Sequence, residues 1–84
     1  MELKDTAILM VSSDYKERFK AEYYQLKIRY EKLKYMLQKW DNGELNFTPD
    51  CPRSIYNVQL QGMQQYIAAL EARAVIEKID LKSI

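Results

Sequence analysis

Residues 19–40 read FKAEYYQLKIRYEKLKYMLQKW, and within them Phe19, Tyr23, Leu26, Tyr30, Leu33, Leu37 and Trp40 recur at spacings of 4, 3, 4, 3, 4 and 3. A mean period of 3.5 residues marks a helix buried along one narrow line against another helix. The second helix is supplied further along the chain. Tyr56, Leu60, Met63, Ile67, Leu70 and Ala74 repeat the 4, 3, 4, 3, 4 rhythm. A polar interval holding Gly43, Pro49 and Pro52 separates the two stripes. The expected fold is all-α: a long antiparallel helical hairpin with a short N-terminal segment. Two helices alone do not close a core, so the hairpin is expected to assemble as a homo-oligomer.

Boundary signals place the elements in one domain spanning residues 1–84. Helix one is expected over about residues 14–40. Ser13 and Asp14 are good N-caps, and Asp14 with Glu17 has capping-box spacing. Asp41-Asn42-Gly43 ends this helix, with Asn42 or Gly43 able to take the left-handed conformation. Residues 41–52 form a loop, and helix two is expected over about residues 53–79. Gly62 inside it costs about 1 kcal/mol against alanine and marks either a close approach or a bend. Met1 to Val11 reads as a minor helix or strand that docks elsewhere.

Bulk composition narrows the function classes. A chain of 84 residues buries only roughly 60–65% of the surface it exposes unfolded, so its core needs support. Cys51 is alone and there is no His, which excludes an internal disulfide and a Cys- or His-based zinc site. Oligomerisation remains as the support, and an unpaired thiol suits a reducing cytoplasm. The net charge of +1 creates no field drawing the chain to a membrane or a nucleic-acid polymer. The longest apolar run, Ala7 to Val11, is far too short to span a bilayer.

The hairpin also carries apolar side chains off its seam. On helix one these are Tyr24, Ile28 and Tyr35, with Met36 widening the seam. On helix two Ile55, Gln59, Tyr66, Ala69, Val75, Ile76 and Ile79 form a second row. Rows of this length suggest a subunit interface.

Catalysis is not expected. Without His the usual neutral-pH acid/base is missing, and no phosphate loop or serine elbow is present. Cys51 beside Pro52 reads as a small residue at a helix start. Binding is better equipped. Five of the seven tyrosines lie in helix one: Tyr15, Tyr23, Tyr24, Tyr30 and Tyr35. Among them stand Lys16, Arg18, Lys20, Lys27, Arg29, Lys32 and Lys34. A tyrosine ring offers a stacking face and a polar tip, and arginine offers a planar fork for phosphate. Tyr15, Lys16 and Arg18 fall in the first turns, where free amides and the helix dipole favour an anion. Seam tyrosines read as core; Tyr15 precedes the main seam and reads as the ligand-facing ring.

Tyr15-Lys16-Glu17-Arg18 opens a helix that continues through Leu26, Glu31-Lys32-Leu33 and Leu37. The second helix carries Gln59-Leu60, Met63, Tyr66, Leu70 and Arg73. This pattern, over about Asp14 to Ile76, resembles the helical-hairpin family of phage immune-evasion proteins that includes the anti-CBASS cyclic-nucleotide sponge and the hairpin of the Thoeris anti-defence sponge. The resemblance implies a non-enzymatic homohexamer without a cofactor, acting in the cytoplasm of an infected bacterium. It implies sequestration of a cyclic oligonucleotide or a cyclic ADP-ribose isomer. Tyr15 matches the family's base-stacking aromatic. Lys16, Arg18, Arg29, Lys32 and Arg73 are the candidate phosphate partners, Arg73 for a second pocket. The interhelix segment is longer than in that pattern, which leaves the ligand's identity open. The alternative reading is a non-catalytic coiled-coil module or small phage regulator that binds a protein.

Overall fold

A computed structural model describes residues 2–82. After a single 3-10 turn at Leu3–Asp5, three helices follow: α1 (Thr6–Met10), α2 (Tyr15–Asp41) and α3 (Arg53–Glu77). The described chain contains no strand, and none of its helices is long and apolar enough to cross a membrane. The 27 residues of α2 span roughly 40 Å at 1.5 Å per residue, which accounts for the long dimension of 43 Å.

Contacts between α2 and α3 fix an antiparallel register. Tyr15 meets Glu77, Tyr23 meets Glu71, Tyr30 meets Gln64, and Trp40 meets Tyr56. Residue numbers rise along one helix as they fall along the other. Every seam position of both stripes is buried or half-buried. Burial is uneven along the seam, however. Phe19, Tyr23, Ile67, Leu70, Ala74 and Ile79 form one buried cluster where α2 begins and α3 ends. Toward the loop only Leu37 is fully enclosed, while Leu33, Trp40, Tyr56 and Leu60 are half-open.

The end of α3 explains the difference. Expected to reach residue 79, the helix stops at Glu77 because Lys78 takes left-handed backbone at φ 58°. The Ile79 amide then donates to the Ala74 carbonyl at 2.8 Å, and the Lys78 amide to Val75 at 3.4 Å. These are the two bonds of a Schellman cap, whose outer residue commonly packs back on the helix. Ile79 does so. It was expected in the exposed second row and is instead 6% exposed, a member of the core. Leu81 packs against the same cluster. The reversed tail is thus a third wall that two helices lack.

The start of α2 is capped by Asp14, whose Oδ1 accepts from the Lys16 amide at 2.9 Å. The capping box expected from Glu17 is not used; the Asp14 amide donates to Ser12 Oγ at 3.0 Å. At the other end Gly43 takes the left-handed position (φ 71°) and Asn42 does not. Glu44 donates to Lys39 at 2.8 Å and Gly43 to Trp40 at 3.0 Å, a second Schellman cap. Arg53 closes the loop with two bonds of 3.1 Å to the Asp41 carboxylate. This pair holds the Asp41 carboxyl below its ordinary range. Being largely exposed, it contributes little to stability.

The N-terminal segment is helical and docks on α2, not on the second row of α3. Thr6 and Ala21 are fully enclosed. Gln25 Nε2 donates to Thr6 Oγ1 at 3.1 Å and touches the Met10 sulfur. The Thr6 hydroxyl in turn donates to the Leu3 carbonyl at 2.7 Å.

Leu70 is 1% exposed at the centre of the buried cluster, whereas Val75 is 80% exposed. Leu70→Ala is expected to lower unfolding stability by about 2–5 kcal/mol, and Val75→Ala by less than about 0.5 kcal/mol. Urea titration followed by circular dichroism measures both.

Candidate binding site at the open end of the hairpin

The open end of the hairpin gathers Tyr15 from the first turn of α2 with Arg73 and Glu77 from the last turns of α3. The Tyr15 hydroxyl donates to Glu77 Oε1 at 2.8 Å and accepts from Arg73 Nη2 at 2.7 Å. Arg73 Nε reaches Glu77 Oε2 at 3.1 Å, closing a ring of three side chains. Below them lies Phe19, its ring 4.9 Å from the Arg73 guanidinium carbon and 6.4 Å from the Tyr15 ring. Phe19 is buried and Tyr15 is 47% exposed. The core ring therefore supports the guanidinium, while the outer ring stays open to solvent.

Each partner alters the others' protonation. The Glu77 carboxylate, accepting from the Tyr15 hydroxyl, raises the Tyr15 pKa above its ordinary value. That hydroxyl and the Arg73 guanidinium hold the Glu77 carboxyl below its ordinary value. Arg73 is raised, chiefly through its bond to Glu77. At neutral pH the ring is a neutral phenol between one cation and one anion.

Of the residues read from sequence as ligand-binding, the structure brings Tyr15 and Arg73 together from opposite ends of the domain. Lys16 and Arg18 share Tyr15's helical turn and are exposed. Arg18 Nη1 is tied back to the Ser12 carbonyl at 2.9 Å. Arg29 and Lys32 do not join this group. They lie 14 and 17 residues beyond Tyr15 on an unbroken helix, roughly 21 and 25 Å away along its axis.

A second feature lies across the hairpin from this ring. Tyr23, Tyr24, Lys27 and Ile28 of α2, Glu71, Ala74 and Val75 of α3, and the tail's Ile79, Leu81 and Lys82 line an open groove of about 730 Å³. Its wall is largely apolar. Tyr23 donates to Glu71 Oε2 at 2.7 Å, and Lys27 Nζ stands 5.8 Å from the Tyr23 ring centre. The Tyr23 and Tyr24 rings meet edge to face at 5.4 Å. The sequence reading missed this groove, because it needs the tail to reverse at Lys78. The off-seam position of Tyr24 and Ile28 was its one legible sign.

Tyr23 is nearly buried, and this desolvation, with the Glu71 carboxylate beside it, pushes its pKa up to about 12. The unfolded chain releases that proton near the ordinary value of 10, so between these values it binds fewer protons than the folded chain. Stability should therefore be full below pH 10 and fall as pH rises toward about 12. Urea midpoints at pH 9.0 and 11.5 (roughly bracketing that window) are expected to differ less in Tyr23→Phe than in the wild type.

Comparison with known proteins bears on the whole hairpin. A family model described as Sequestin matches residues 13–76, from the cap of α2 almost to the end of α3. No curated protein and no solved structure matches the chain.

Proposed function

The chain belongs to the Sequestin family, a name that denotes sequestration, and from that premise we propose that it binds and sequesters a cyclic nucleotide signal of bacterial anti-phage defence. The ligand class is a cyclic di- or trinucleotide or a cyclic ADP-ribose isomer, and the setting is the cytoplasm of an infected cell. The observation that carries the proposal is the pairing of Tyr15 with Arg73, an open aromatic face beside a guanidinium that buried Phe19 supports.

The chemistry follows from the residues. A base stacks on the outer face of Tyr15, an interaction that contributes roughly 1–3 kcal/mol per base. A phosphate takes Arg73 in exchange for Glu77, its planar fork suiting both acceptors. Lys16, Arg18 and the helix dipole at the start of α2 add positive potential around the anion. No bond in the ligand is made or broken. The protein acts by mass action, lowering free signal below what its effector needs, so it must be abundant and bind tightly. Catalysis has no part in the reading. Arg29 and Lys32 fit it only as contributions from a neighbouring subunit to that subunit's partner.

Titration calorimetry against a panel of cyclic di- and trinucleotides and cyclic ADP-ribose isomers tests the proposal. At least one compound should bind. Tyr15→Ala should weaken that binding by about 5- to 150-fold, the range set by loss of one stacked base, without changing the native mass. Glu77→Gln should tighten it a few-fold, because phosphate then displaces no charged competitor. Absence of heat with every compound at tens of micromolar protein overturns the cyclic-nucleotide reading and leaves sequestration of a protein partner.

A further inference from the structure

The groove across the hairpin from the Tyr15–Arg73 ring has no part in the function proposed above. The tail builds one side of it: Ile79, Leu81 and Lys82 are among its lining residues, and all three lie beyond residue 76, where the family match ends. The concavity is therefore not a property of the matched segment alone.

Its apolar side comes from three elements. Ile28 on α2, Val75 on α3, and Ile79 and Leu81 on the tail face the same space. Val75 is 80% exposed, so a large apolar side chain meets solvent there. The volume of about 730 Å³ lies within the roughly 300–1,000 Å³ of small-molecule sites. Along α2 the groove runs from Tyr23 to Ile28, a rise of roughly 7.5 Å. That length suits a short apolar body, not a long acyl chain.

Its uncommitted polar groups are donors. Lys27 and Ile28 lie three and four residues beyond Tyr24 and so share its face of α2. The Tyr24 hydroxyl has no hydrogen-bond partner among the described residues. Burial, and then the Asp80 carboxylate, raise its pKa above the ordinary value, so at neutral pH it keeps a proton to donate. Neither Lys27 nor Lys82 belongs to an ion pair among the described residues. The acceptors nearby are already engaged. Glu71 Oε2 takes the Tyr23 hydroxyl at 2.7 Å, and Asp80 Oδ1 takes the Lys82 amide at 2.8 Å. The lining thus sets two ammonium groups against one carboxylate, and that carboxylate has its own donor.

We propose that this groove is a second binding site, for a small amphipathic carboxylate whose short apolar body lies along Ile28, Val75, Ile79 and Leu81. Its carboxylate is held by Lys27, Lys82 and the Tyr24 hydroxyl. The apolar wall supplies affinity, and the two lysines select the sign of the charge. The site is independent of the cyclic-nucleotide reading.

Sodium octanoate is the probe, titrated into the native protein by calorimetry and by amide-resolved nuclear magnetic resonance. Octanoate should saturate, with shifts centred on Tyr24, Ile79 and Leu81. Hexanoate, two methylenes shorter, should bind about 15-fold more weakly, and acetate should not bind. Octylammonium and 1-octanol, which match the chain but not the charge, should each bind at least about tenfold more weakly than octanoate, the factor of one lost charge-assisted bond. Lys27→Glu combined with Lys82→Glu should remove that preference. Where the double variant does not fold, Lys82→Ala, at an exposed position, should still weaken octanoate a few-fold. The proposal is overturned if octanoate fails to saturate, the result expected where a second copy or a protein partner covers the groove in the native assembly. Equal binding of octanol or octylammonium overturns it too, as do shifts centred on Tyr15, or unchanged affinity in a folded lysine variant. The two readings fail separately, because cyclic nucleotides probe the Tyr15–Arg73 ring and octanoate probes the groove.

Discussion

Everything in this molecule depends on the seam between α2 and α3, a single line of side chains along two helices. A helix that contributes only a narrow stripe buries little apolar surface per residue, so the hairpin cannot hold itself together by volume of core. It adds polar fasteners to the stripe instead. Tyr15, Tyr23 and Tyr30 each put a ring on or beside the seam and a hydroxyl across to α3, on Glu77, Glu71 and Gln64. Each bond contributes about 0.5–1.5 kcal/mol net. Each also favours this register, because a slip of one residue would part the hydroxyl from its partner. Lysines four residues on cover the rings of Tyr23, Tyr30 and Tyr35 at 5.3–5.9 Å. Tyrosine enrichment in α2 is therefore structural first, with Tyr15 the most exposed ring of the three rungs.

The same constraint explains where the core is. Two helices enclose only what lies between them, and along the loop half of the hairpin the seam stays half-open. At the other end the chain reverses at Lys78 and returns Ile79 and Leu81 to the helices. The third wall completes burial there and, by the same act, leaves a groove beside it. Core and concavity share one cause, the left-handed residue that turns the tail. The Tyr15–Arg73 ring rests on that well-packed end through Phe19, so its position is tied to the most buried part of the fold.

Much of the site was legible in part. Tyr15, Lys16 and Arg18 stood out because a helix start collects cations and a ring where amides are free, a local property. Arg73 was named for a separate pocket, yet it meets Tyr15 directly, since antiparallel pairing folds residue 73 back over residue 15. Arg29 and Lys32 were named as phosphate partners through the family resemblance, but an unbroken helix carries them away from Tyr15. Glu77, the competing carboxylate, went unnoticed, because charged residues at a helix end look solvated until their partner is known. The Asp14–Glu17 spacing failed for a similar reason: Ser12 was nearer to the amide that Glu17 would have capped.

By itself the sequence determined the two long helices, their seam, the antiparallel return and the loop between them, all within one or two residues. These are repeating properties, summed over many residues that agree, so no single misreading disturbs them. Tertiary structure alone decided that α1 docks on α2, that Ile79 belongs to the core, that a groove opens beside Tyr24, and that Tyr15 and Arg73 meet in one hydrogen-bonded ring. Each depends on a single backbone dihedral or a single meeting of distant side chains. Periodicity carries no information about such events, because they are set by where the chain turns and by what lies across the turn.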